Sequence, residues 1–101
     1  MLGIVYITAG DMTNASEIAR ELVSRRLAAC VSMFPIFSIY RWNEQVEEQN
    51  EIALLVKTDS SRLDEIIKAV KSLHTYDLPA IEFWEIEGEQ EYLDWVHVNS
   101  S

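Results

Sequence analysis

Apolar and polar positions along the chain change period several times, and each period predicts an element. Leu2-Gly-Ile-Val-Tyr-Ile-Thr8 is a short apolar run and reads as a buried first strand. Gly10-Asp11-Met12-Thr13 is turn-like, and Asn14 with Glu17 three residues on resembles a capping box. Ile18, Ala19, Leu22, Val23 and Leu27 then recur at helical spacing, which predicts a helix over 15–26. Leu63, Ile66, Ile67, Val70 and Leu73 form the stripe of a second helix, capped by Ser60 or Ser61. Pro79 pushes Leu78 out of helical geometry, so His74 to Pro79 is a loop. Ala80 to Glu87 predicts a fourth strand, ended by Gly88, and Glu89 to Val98 a short third helix.

Between the first two helices, from Leu27 to Thr58, two β-prone arms flank the polar turn Asn43-Glu44. Arms of about 14 residues, at 3.3 Å per residue, span on the order of 45 Å, whereas a compact chain of 100 residues is roughly 33 Å across. The hairpin therefore overhangs its own body. Tyr40 and Trp42 sit at its far end, where a small monomer cannot cover them. An unpaired apolar ribbon needs a partner, and further copies of the same chain are the simplest one. Pro35 marks a bulge or an edge position in the first arm. The element order βαββαβ plus a C-terminal helix is the α+β, ferredoxin-like split βαβ sandwich, a fold that hosts many functions and decides none.

Composition narrows the class. The 101 residues make one domain, 1–101, and 49% are hydrophobic, enough for a real core. The net charge of −9 disfavours nucleic acid, which needs a basic footprint, and is compatible with attraction of cations. No apolar stretch reaches the roughly 18 residues of a membrane span, and the N-terminus lacks a signal-peptide pattern. Cys30 is the only cysteine, so no internal disulfide forms. A soluble, cytoplasmic protein with no membrane partner is expected. Arg20, Arg25 and Arg26 cluster where a helix C-terminus would favour cations.

Candidate chemistry is sparse. The common hydrolase, zinc-protease, redox and phosphate-loop signatures are missing, so no catalytic residue is assigned. Cys30 lies in the apolar run Ala28-Ala29-Cys30-Val31 and reads as a small buried hydrophobe, against the alternative of a nucleophile paired with His74. His74 follows the second helix, where the helix end suits a cationic imidazole. The alternative is a metal ligand completed by a carboxylate such as Asp77 or Glu51, or by a neighbouring subunit. His97, near the C-terminus, reads as solvated. Tyr40, Trp42, Tyr76, Trp84, Tyr92 and Trp95 suit a core or interface better than a base-stacking platform in so acidic a chain. Lys57 is read as pairing with a carboxylate, or else as lining a cleft for an anion.

Several motifs together resemble one family. Leu27-Ala28-Ala29-Cys30-Val31, Ser38-Ile39-Tyr40-Arg41-Trp42, Glu51 and Lys57-Thr58 look like the CutA divalent-cation-tolerance family. His74-Thr75-Tyr76-Asp77-Leu78-Pro79 is similar to its H-P-Y-x-x-P block, and Tyr92-Leu93-Asp94-Trp95 to its Y-L-x-W ending. The resemblance implies a homotrimer in which the hairpins of three subunits pair, and a non-enzymatic role in tolerance of copper and other divalent cations. It implies binding of Cu²⁺ or a similar ion, placed here at His74 with Asp77. The likeness of that architecture to PII signalling proteins implies, alternatively, a small ligand in inter-subunit clefts. Cys30, Tyr40, Trp42, Glu51, Lys57, Tyr76 and Trp95 are thereby marked as cleft or interface positions. Where the family usually has Pro, this chain has Thr75, and Glu44 stands near the usual turn glycine, which predicts a left-handed Asn43. Ile7 and Leu73 occupy positions where some members carry a cysteine and a second histidine, so a site of that kind keeps only His74.

Overall fold

A computed structural model describes residues 1–101. The elements are β1 (Leu2–Ala9), α1 (Met12–Ser24), β2 (Cys30–Trp42), β3 (Gln45–Asp59), α2 (Leu63–Leu73), β4 (Ile81–Glu85) and α3 (Gln90–Asn99), with a 3₁₀ turn at Ser60–Arg62 leading into α2. One antiparallel sheet runs in the order β2-β3-β1-β4. This is the ferredoxin-like arrangement that the element order predicts.

Strand alternation divides the sheet into two faces. Val5, Ile7 and Ala9 of β1 and Leu54 and Val56 of β3 are fully buried and form one core with Ile18 and Leu22 of α1 and Ile66 and Val70 of α2. The intervening residues, Tyr6 and Thr8 of β1 and Glu51, Ala53 and Leu55 of β3, lie on the opposite face. Lys57 is on that face too, opposite Cys30 of β2. No helix of the fold is long and apolar enough to cross a membrane.

The helix starts differ from their expected places for local reasons. The cap of α1 is Asp11, whose carboxylate accepts from the Asn14 backbone N–H at 2.8 Å, so the helix begins earlier than residue 15. Asn14, expected at the cap, is buried, and its side-chain amide donates to the Leu73 carbonyl at 2.9 Å, joining α1 to the end of α2. Asp59 replaces Ser60 or Ser61 as the cap ahead of α2, accepting from the Ser61 N–H at 2.9 Å. The end of α1 is a Schellman motif: Arg26 takes φ 57°, its N–H reaches the Val23 carbonyl, and the Leu27 N–H reaches that of Leu22. The Arg26 guanidinium donates to the Val98 and Ser101 carbonyls, and Arg62 donates to Ser100, so the two arginines close the end of α3. Thus Arg26 serves the end of α3, a different helix from the one its sequence position suggests.

β1 pairs with β3 only from Ile52 to Asp59, while β2 and β3 stay paired out to Trp42 and Gln45. From Ile36 to Glu51 the hairpin is therefore a two-stranded ribbon beyond the body. It stretches the molecule to 45 × 25 × 21 Å. Asn43 (φ 48°) and Glu44 (φ 64°) are both left-handed, the pattern of a type I′ two-residue turn matched to strand twist. Pro35 pairs with Ile52 in an unbroken register, so it marks the free edge of β2 and no bulge. Phe37, Ile39 and Val46 on the ribbon are exposed. An isolated two-stranded ribbon with such a surface is marginal in water, so this part of the chain needs a cover.

Candidate functional site

The ribbon, the open face of β1 and the loop after α2 border an open cavity of about 660 Å³. It is lined by Tyr6 and Thr8 of β1, Ser38, Ile39, Tyr40 and Trp42 of β2, Glu51 of β3, and Thr75 to Leu78 with Ala80 of the loop. The volume falls in the range of small-molecule sites.

His74 holds the loop wall in place. Its Nδ1 accepts the Tyr76 N–H at 3.0 Å, and its Nε2 lies 2.7 Å from the Thr8 carbonyl oxygen. A carbonyl only accepts, so the ring is the neutral tautomer with its proton on Nε2. The Tyr76 ring packs against it at 4.7 Å between centroids. Asn14 adds a second brace, its carbonyl accepting from the Thr75 N–H at 3.4 Å.

A chain of hydrogen bonds links three of the lining residues through Gln49. Tyr40 donates to Gln49 Oε1 at 2.5 Å, Gln49 Nε2 donates to the Tyr76 hydroxyl at 2.5 Å, and Tyr76 donates to Glu51 Oε2 at 2.7 Å. Burial, and then the hydrogen bond to Glu51 and its charge, push the Tyr76 phenol well above its ordinary pKa, so it remains a donor.

The sequence candidates separate into two places. Tyr40, Trp42, Glu51, Tyr76 and Asp77 line the cavity, and His74 braces it. Lys57 lies elsewhere: its Nζ donates to the Tyr92 hydroxyl at 2.9 Å, and the ring of Tyr92 stacks on that of Trp95 at 5.6 Å. The hydrogen bond to Tyr92 raises the Lys57 pKa above its ordinary value. The partner of Lys57 is thus a phenol rather than a carboxylate, and no cationic side chain lines the cavity. Cys30, opposite Lys57 across the strands, is half-buried rather than buried, with Sγ 4.0 Å from Ser32 Oγ. His97 is exposed, 3.9 Å from the Asp59 carboxylate. Tyr6 and Thr8 are cavity residues that the motifs do not mark. Their signal in the sequence is strand parity, which puts Tyr6 and Thr8 on the face away from the helices.

A preformed metal centre does not fit these residues. No group of three or more His, Cys, Asp or Glu side chains is placed to share an ion. Both His74 ring nitrogens are engaged, so a metal at Nδ1 has to displace the Tyr76 N–H.

These features define a class: a ferredoxin-like protein with an overhanging β-ribbon and a braced cavity between the ribbon and the body. The chain belongs to the CutA1 divalent ion tolerance protein family, whose sequence model matches residues 3–99. The divalent-cation tolerance protein CutA of Thermus thermophilus is 44% identical over 96% of both chains. The structure of the periplasmic divalent cation tolerance protein CutA from Archaeoglobus fulgidus superposes with a TM-score of 0.97 at 38% identity, covering 100% of both chains. The PII-like protein CutA from Nostoc sp. PCC 7120 superposes with a TM-score of 0.90 at 27% identity, covering 98% of this chain and 97% of that one.

Proposed function

We propose that this member of the divalent-cation tolerance family acts as a homotrimeric, PII-like binding protein that takes a small ligand into the cavity, with no catalytic step. The observation that carries the reading is the cavity itself. Four segments distant in sequence converge on it, and a histidine with no free lone pair fixes its outer wall. The exposed ribbon supports assembly, because Phe37, Ile39 and Val46 need a cover that other copies of the ribbon supply. Copper held at His74 and Asp77 is the less favoured reading, since it requires the Tyr76 contact to open first.

A thermal-shift screen of small metabolites tests the proposal, run beside Tyr40→Ala and the remote control Lys68→Ala. The expected result is a stabilising compound whose effect disappears in Tyr40→Ala and persists in the control. No stabilising compound, or one indifferent to Tyr40, would overturn it.

A further inference from the structure

The loop after α2 reaches the ribbon and ties it to the body. β1 supports β3 only as far as the Ala9–Ile52 pair, and Pro35 is the β2 residue opposite Ile52. Beyond that line the ribbon has the ladder of its own two strands. The ladder fixes their register but not the angle at which the pair leaves the sheet. Glu51 and Gln49 are β3 residues just past the line, and both bond to one atom, the Tyr76 hydroxyl. Tyr76 donates to Glu51 Oε2 at 2.7 Å and accepts from Gln49 Nε2 at 2.5 Å. Gln49 Oε1 in turn accepts from Tyr40 of β2 at 2.5 Å, so both strands of the ribbon are tied to one point.

That point is held by the body. The Tyr76 N–H donates to His74 Nδ1, His74 Nε2 donates to the Thr8 carbonyl of β1, and the Tyr76 ring packs on the imidazole. A Cβ added at Gly10 would stand 3.3 Å from the phenol, so Tyr76 also lies close over the turn that follows β1. Glu51 is buried, so its bond to Tyr76 meets little competition from water. Every link is made within one chain.

We propose that Tyr76 is the positioning residue of the ribbon: through its hydroxyl, the loop after α2 sets the angle at which β2 and β3 leave the sheet. A movement of that loop is then transmitted to the overhanging turn. The device does not depend on what the cavity binds. From Ile52 to Gln45 the lever is about 23 Å at 3.3 Å per residue, so a tilt of about 10° moves the turn by about 4 Å.

Pulsed electron-spin distance measurement tests this. Spin labels are attached through Gln45→Cys beside the turn and Lys68→Cys on α2, with Cys30→Ser to remove the only native thiol. Unlabelled copies of the same variant are mixed in excess, so that one subunit of an assembly carries the labelled pair. Tyr76→Phe keeps the ring and removes the hydroxyl, and Tyr92→Phe makes the same change at the phenol that bonds Lys57. Tyr76→Phe is expected to shift the mean distance, or widen its distribution, by about 4 Å, while Tyr92→Phe reproduces the wild type. An unchanged distribution in Tyr76→Phe means that the strands' own twist or neighbouring copies set the angle, and overturns the proposal. An equal change in both variants overturns it as well. Should Tyr76→Phe not fold, Gln49→Leu, which cuts the link between Tyr40 and Tyr76, is read against Tyr92→Phe in the same way.

Discussion

Replacing His74 with alanine separates a brace from a metal ligand. The substitution removes the acceptor of the Tyr76 N–H (3.0 Å) and the donor to the Thr8 carbonyl (2.7 Å). Both stranded groups are part-buried, so some water reaches them, and each costs about 1 kcal/mol, at the low end for an unsatisfied buried group. The sum is about 2 kcal/mol. For a chain of this size 1 kcal/mol corresponds to roughly 4–8 °C, so Tm should fall by about 8–16 °C at fixed protein concentration and without metal. The loss is local before it is global: the Tyr76 amide should lose hydrogen-exchange protection while β1 and β3 amides in the core keep theirs. Thermal unfolding of metal-stripped protein, with exchange read at Tyr76, checks both. An unchanged Tm with a protected Tyr76 amide would refute the bracing role.

Three other substitutions probe different parts of the account. Trp42→Ala should weaken assembly by about 2 kcal/mol per contact, roughly thirtyfold, as loss of an interface aromatic does, without changing the far-ultraviolet dichroism; unchanged mass on dilution would count against it. Gly3→Ala places a Cβ against the Trp84 carbonyl and the Phe83 ring where β1 meets β4, and should cost about 1–3 kcal/mol in denaturant unfolding. The backbone hydrogen bond from Ser61 holds the Asp59 pKa below its ordinary value. Its contribution to stability is therefore complete above the ordinary carboxylate range and is lost as pH falls through the depressed folded-state value. Asp59→Asn should be less stable near neutral pH and should flatten that acid limb; parallel curves for the two proteins would contradict the assignment.

What the sequence disclosed and withheld follows from the range of each interaction. Periodicity and turn chemistry are local, so the strands, the helices and the left-handed Asn43 could be read from neighbouring residues. The family motifs singled out His74, Glu51 and Tyr76, residues the fold brings together at one cavity. The caps were misplaced because Asn14 has two possible uses, and only the approach of α1 to the end of α2 selects the one bridging them. Likewise, Lys57 had many carboxylates to choose from in an acidic chain, and the phenol of Tyr92 is its neighbour only after α3 docks. Tyr6 and Thr8 belong to no motif, and strand parity reveals their face but not the loop that closes over them. Nor does spacing show that both nitrogens of His74 are occupied, since Thr8 lies 66 positions away.

In the reading proposed above, His74 holds a ligand cavity in shape and is not a preformed metal ligand. Calorimetric titration of the metal-stripped protein with Cu²⁺, beside His74→Ala, tests it most directly. Weak, non-saturating heats of equal size in the two proteins, reflecting the acidic surface, are the expected result. Saturable binding at a whole-number ratio per subunit, abolished in His74→Ala, would contradict it.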